Sequence, residues 1–310
     1  MQEKTRAALI SVVSNTMLTL GKVSVGLASG SVSILSEGIH SGIDLLAAVI
    51  ALFAVKKSAK PADERHAYGH GKIENISGTI EAFLIFIAAI WIIIEAVHKL
   101  TSGIVIIEKM GWGMAIMATS AIVNLFVSTY LMRVAKKTNS VALEADALHL
   151  RTDVYTSAGV LAGLLLVHFT GWVIFDPIIA ICVALLIIKA AFDLTKEAFM
   201  PLVDVRLDES EYRVILAVLE DYSSNFVEFH KLRTRRSGPE RHIDLHLVLP
   251  KFQSILEVHD LCNRIERDIK ERLSETHILI HPEPCNEGKV RCEVCDEKNP
   301  SCLECTDSKR

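Results

Sequence analysis

Residues 36–49 read SEGIHSGIDLLAAV, and whether this stretch lies in water or in lipid decides the architecture of the chain. On a helix His40 and Asp44, four residues apart, stack on one face. Their neighbours are apolar or small and belong to a hydrophobic run over 33–55. A membrane-spanning helix needs roughly 20 mostly apolar residues. An ionisable group inside one is costly enough to require a partner or a function. Working outward, five more runs are candidate spans: 8–28, 77–99, 112–134, 144–167 and 174–196. The run at 144–167 begins with Glu144, Asp146, His149, Arg151 and Asp153. It is kept whole because its apolar remainder, 158–168, is too short to cross a bilayer.

Composition agrees with a membrane protein. Half of the 310 residues are hydrophobic and the mean hydropathy is +0.34, more apolar than an ordinary soluble domain. A net charge of −4 gives none of the polyelectrolyte character of nucleic-acid binders, so no nucleic-acid partner is expected. The first apolar run is too long for a cleavable leader and is interrupted by Asn15 and Lys22, for which the sequence offers no reason. Lys56, Lys57, Lys60, Arg65 and Lys72 crowd one loop, and Arg133, Lys136 and Lys137 the next on that side. The opposite loops hold only Lys99 and Lys109. Positive charge stays on the cytoplasmic side, which predicts cytoplasmic N- and C-termini for a multi-pass protein; the plasma membrane is the expected location.

Three domains follow: 1–205, a six-helix transmembrane domain; 206–284, a charged cytoplasmic domain; and 285–310, a cysteine-rich tail. Within the second, 208–222 and 254–273 suit helices, and 227–234, 241–249 and 276–281 suit strands. In HIDLHLVL, His242, Asp244 and His246 take one face of a strand while Ile243, Leu245 and Leu247 take the other. RSGPE supplies a hairpin turn. Ile255, Val258, Cys262, Ile265 and Ile269 form the stripe that the second helix buries. The order αββαβ predicts a small α+β domain, ferredoxin-like or metallochaperone-like, with helices on one side of a sheet.

The opening pair recurs: HLRTD places His149 and Asp153 four apart on another span. Two imidazoles and two carboxylates on two helices make a four-ligand set that suits Zn²⁺. The two aspartates balance one divalent cation, and coordination offsets the cost of carboxylates in lipid. A single such pair is often only a satisfied polar contact; two matching pairs are harder to explain that way. Glu37 and Asp146 each precede a ligand by three residues and either line the cytoplasmic approach or support the ligands. Arg151 neutralises a nearby acid or snorkels.

SGSVSILSEGIHSGIDLLAA (29–48), HAYGHGKIEN (66–75) and ALEADALHLRTDVYTS (142–157), in that order and with this topology, resemble the cation diffusion facilitators, membrane antiporters that exchange divalent metal for protons. The resemblance covers all but about the last 25 residues. It implies a transport site at His40, Asp44, His149 and Asp153, with zinc favoured by histidine at the first position. It implies a second site at Asp63, His66 and His70. HExxH is absent there, so a zinc-peptidase reading of HxxxH lacks its base. A third, binuclear zinc site at the interface of a homodimer falls on His230, His246, His259, His281 and Glu283, with His242 and His277 as nearby alternatives. Lys72 and Asp204 match a charge interlock at that interface.

The tail is peculiar to this chain. Cys292 and Cys295, then Cys302 and Cys305, form two CxxC units six residues apart. In a reducing compartment these read as zinc ligands before disulfides, with a metal-free thiol tail or redox use as the alternatives. Cys182 and Cys262 read as core. Histidine binds metal only when neutral and titrates near pH 6.5, so metal and proton compete at one site. The chain therefore reads as a secondary transporter, not an enzyme. It loads zinc from the cytoplasm and exchanges it for protons by alternating access. A metal sensor without flux and a zinc-dependent membrane hydrolase are the rival readings. The hydrolase needs an open coordination position that four symmetric ligands do not leave.

Overall fold

A computed structural model describes residues 2–29, 32–102, 112–172 and 174–285. The chain divides into two units, Met1–Leu202 and Val203–Arg310. The first is helical: α1 (Gln2–Ser29), α2 (Val32–Ser58), α3 (Lys72–Ser102), α4 (Trp112–Thr138), α5 (Val141–Thr170) and α6 (Phe175–Phe199). At 1.5 Å per residue even α6 is about 37 Å long, more than the ~30 Å hydrocarbon core of a bilayer. The helices therefore overrun their apolar windows. α1 begins at Gln2 and α3 at Lys72, ahead of the starts at 8 and 77 that hydropathy marks. Hydropathy locates the lipid, whereas backbone hydrogen bonding continues beyond it.

The side chains are arranged for lipid. Phe53, Phe83, Trp91, Phe126, Leu186 and Phe192 are exposed, while Ala47, Ala51, Ala82, Ala89, Ala145 and Ala191 are buried between helices. In a bilayer nothing drives large apolar groups inward, so small residues that let backbones approach make the contacts. Gly38 illustrates this: a Cβ there would lie 2.8 Å from Val23 Cγ2 and 3.2 Å from the Val23 backbone nitrogen. Among the described residues, five of the six helices carry a window apolar enough to cross a membrane, and α5 is not among those five. It packs against each of the other five. Its Asp146 and His149 are buried against protein. Cys182, expected in the core, is exposed on α6; a thiol is apolar enough to face lipid.

Polar groups also tie the helices together. Glu74 of α3 is buried and accepts hydrogen bonds from Ser140 of α5, Ser58 of α2 at 2.7 Å and Lys4 of α1 at 3.3 Å. Lys22, buried on α1, donates to Ser41 Oγ of α2 at 2.8 Å, and Asn15 donates to Ser11 Oγ at 3.5 Å. These bonds supply the reason that the sequence withheld for Lys22 and Asn15. Lys72 donates to the Leu202 carbonyl at 3.4 Å.

The second unit runs α7 (Glu209–Asp221), β1 (Glu228–Ser237), β2 (Glu240–Leu249), α8 (Ile255–Arg272) and β3 (Thr276–Pro284). The sheet order is β1-β2-β3. β1 and β2 are antiparallel across the tight turn Gly238–Pro239, whose glycine has φ of 59°. β2 and β3 are parallel, joined by the α8 crossover. Ile243, Leu245 and Leu247 meet Ile215, Leu219, Leu261 and Ile265 in one core, as strand alternation predicts. Ser254 and Glu257 cap α8 reciprocally.

The buried stripe of α8 differs from expectation at its start. Ile255 is 89% exposed, and Leu261 takes the place assigned to it. Ile255 is the first residue of the helix, one turn short of the core. Arg236 and buried Arg241 both bind Glu211, and Asp204, with φ of 56°, accepts from Arg235 at 3.5 Å. Cys285 is buried and donates its N–H to the Leu249 carbonyl at 2.9 Å, so it closes this unit. Cys292, Cys295, Cys302 and Cys305 lie outside the described residues.

Candidate metal centre

Helices α2 and α5 bring the two His/Asp pairs together. His149 Nε2 lies 3.0 Å from Asp44 Oδ1, and His40 Nε2 lies 3.9 Å from Asp44 Oδ1 and 4.0 Å from Asp153 Oδ1. A tetrahedral zinc with bonds of about 2.0 Å separates its ligand atoms by about 3.3 Å. His40, Asp44 and Asp153 place ligand atoms within 4.8 Å of one another, and His149 adjoins them through Asp44. Asp44 and His149 are buried, Asp153 is partly buried, and the His40 imidazole is half exposed, which leaves a route in. Asn124 of α4 donates to Asp153 Oδ2 at 3.3 Å and holds that carboxylate in place. The His149 Nδ1 atom is buried without a hydrogen bond.

Asp63, His66 and His70 also converge, in the loop between α2 and α3. Asp63 Oδ1 is 3.1 Å from His66 Nδ1 and Asp63 Oδ2 is 3.4 Å from His70 Nε2. The backbone N–H of His66 bonds Asp63 at 2.7 Å and is the main reason that its carboxyl titrates below the usual value. The charged form that a metal needs is thus favoured.

The third group rests on strand register. His230 pairs with His246 across β1 and β2, and His246 pairs with His281 across β2 and β3, so three imidazoles form a row on the sheet. Glu283 bridges them: one oxygen bonds His246 Nδ1, and the other lies 3.3 Å from His230 Nε2. His281 Nε2 is 3.9 Å away. The His246 bond holds the Glu283 carboxyl below its ordinary range. His259 does not join the row; it sits on α8 and pairs with Asn263 at 3.0 Å. The alternatives His242 and His277 are also apart from it, stacked at 5.2 Å beside Glu240. Burial first, then Arg235, pushes His242 down to about 4, so its ring is neutral at physiological pH.

Two groups escaped sequence reasoning. Asn124 has a neutral side chain in an ordinary span and carries no signal. Glu81 is buried in α3 with Oε2 unpartnered. It is the sole charged residue between Asn75 and Ile94, and that isolation would have found it. Asp146 is buried with both carboxylate oxygens unpartnered. The Glu37 side chain lies outside the described residues.

Residues 8–203 match the cation efflux transmembrane domain, and residues 207–285 match the cytoplasmic domain of cation efflux proteins. An uncharacterized transporter of Synechocystis sp. is 36% identical over 84% of this chain and 84% of its own length. The cation-efflux pump FieF of Serratia proteamaculans is 31% identical over 90% of this chain and 92% of its own. Among solved structures, the metal-bound C-terminal domain of the CzcD transporter from Thermotoga maritima is 25% identical, covering 27% of this chain and 100% of that one, with a TM-score of 0.25.

Proposed function

The chain belongs to the cation efflux, or cation diffusion facilitator, family, and from that premise we propose that it exports divalent metal from the cytoplasm, zinc foremost, in exchange for protons. The observation that carries this reading is the convergence of His40, Asp44, His149 and Asp153 between α2 and α5. Two neutral imidazoles and two carboxylates suit a borderline ion such as Zn²⁺ better than a hard one. Because protons compete for those imidazoles, a site facing neutral cytoplasm loads metal. Facing a more acidic exterior, it releases metal and carries protons back. Rocking of helices past a fixed site alternates the access. With positive charge inside, both termini are cytoplasmic; the membrane in this reading is the plasma membrane.

The loop trio and the sheet row are accessory metal sites in this reading. The cytoplasmic domains form a homodimer, and metal on His230, His246, His281 and Glu283 fixes their approach and raises transport when cytoplasmic metal is high. His259, apart from the row in its own chain, completes the site from a second copy. Lys72 and Asp204 contribute to the same interface.

The test is zinc uptake into proteoliposomes under an imposed pH gradient, for the intact protein and for Asp44→Ala and Asp153→Ala. Uptake by the intact protein should follow the gradient, and both variants should lose it. Accumulation indifferent to pH would end the exchange mechanism, and zinc binding without flux would establish a sensor instead.

A further inference from the structure

Two acids of the first unit serve no bond in the transport site. Glu81 of α3 is 0% exposed and Asp146 of α5 is 1% exposed. Ser77 offers Glu81 Oε1 one long hydrogen bond of 3.4 Å; Glu81 Oε2 and both Asp146 oxygens have none. The two helices pack here through Ala82 and Ala145, each next in sequence to one of the acids and both in one apolar cluster. The carboxylates lie within electrostatic range of each other and of His149. Counted along their helices at 1.5 Å per residue, Glu81 is about 14 Å from the start of α3 and His149 about 12 Å from the start of α5.

Among the described residues, no lysine or arginine acts on either acid. From α1 the neighbour is Ser11, a neutral hydroxyl beside Asp146. From α2 it is Asp44, another acid; from α5 it is His149. The α6 face holds Ala184, Ile187, Ala191 and Leu194, and Asn124 of α4 is committed to Asp153. Lys22 is the buried cation of this unit among the described residues, and it bonds Ser41. Nor do the acids belong to any of the described groups that could close on a metal. A bound divalent ion is matched in charge by Asp44 and Asp153, which leaves Glu81 and Asp146 uncompensated. Two unpaired carboxylates in a low-dielectric interior repel each other and each pays a desolvation cost that is relieved by taking up a proton.

We propose that Glu81 and Asp146 form a proton-holding site of this transporter, level with the metal site and distinct from its four ligands. The inference rests on the exchange reading above and adds to it a carrier for one proton that never occupies a metal ligand. Metal arriving at His149 raises the local positive charge and releases that proton; metal leaving allows it to return.

Proteoliposomes loaded with a pH-sensitive dye and given a zinc gradient report protons moved per zinc. The chains compared are intact, Glu81→Gln, Asp146→Asn and Glu81→Asp. Either amide should lower the ratio by about one proton and flatten the pH dependence of zinc flux, and Glu81→Asp should restore both. An unchanged ratio and profile would overturn the proposal. So would a parallel fall of zinc and proton flux in protein that elutes as a folded species, because that marks a structural role. If Glu81→Gln does not fold, Asp146→Asn makes the same measurement. Failure of the exchange reading itself is seen separately: the intact protein would then move no protons with zinc.

Discussion

Asp44 is the side chain on which the proposed transport site turns, because it adjoins both His149 and His40. Its partner carboxylate, Asp153, is steered by Asn124. Outer groups of this kind typically contribute about 10–100-fold in metal affinity. Asn124→Leu should therefore weaken zinc binding by about that factor while the four ligands remain, as zinc titration of the purified protein would measure; no change would mean that the Asn124 bond does no positioning. Glu283 allows a pH argument in the other unit. Its folded pKa is depressed from 4.5 by His246. A depressed carboxylate keeps its charge, and the stability of its pairing, above the ordinary value and loses both as pH falls through the lower one. From pH 7 to 5 Glu283 should thus stay ionised and available to a metal on the sheet row. Glu283→Gln should weaken zinc binding by the same factor at pH 7 and pH 5, as titrations at the two values would measure; a loss confined to pH 7 would mean that the carboxyl titrates in this window.

Among elements, α3 is held at its first turn by one acid with partners on three other helices. Glu74 takes Lys4 from α1, Ser58 from α2 and Ser140 from α5. Removing one partner of a buried charged pair costs about 3–5 kcal/mol, whereas one neutral hydrogen bond contributes about 1 kcal/mol. Glu74→Ala should therefore lower the thermal stability of the detergent-solubilised protein far more than Ser140→Ala, measured by loss of the monodisperse peak on heating. Equal shifts would show that the bonds are independent. The sequence could not reveal this hub, because its members lie in four segments and each looks like an ordinary helix-end residue. The juxtaposition of the two His/Asp pairs was readable for the opposite reason: four-residue spacing within one helix encodes a face, and the pattern occurred twice. Strand alternation gave the buried face of β2, but it could not give the row of His230, His246 and His281. That row depends on register across three strands, including the irregularity between His230 and Arg233. Ile255 and Cys182 were misplaced because periodicity says which face a residue takes, not whether a core reaches the helix end or lipid replaces it.

For the whole molecule, the proposed reading assigns carrying to the first unit and sensing to the second. If His246 and Glu283 hold a metal that promotes transport, their loss changes how much zinc is needed, not what the transport site can do once engaged. His246→Ala should raise the zinc concentration for half-maximal uptake and leave the maximal rate within about two-fold, because an effector shifts an equilibrium only by its differential binding. Asp153→Ala should abolish the maximal rate. A collapse of the maximal rate in His246→Ala would place the sheet row on the transport path. The tail gives a third contrast. A Cys₄ set binds one zinc, so deleting 286–310 should remove about one bound ion per chain, counted by elemental analysis. Flux and its zinc dependence should stay as they were. Loss of flux on that deletion would mean that Cys292, Cys295, Cys302 and Cys305 deliver metal to the transporter, and the tail would then belong to the path and not beside it.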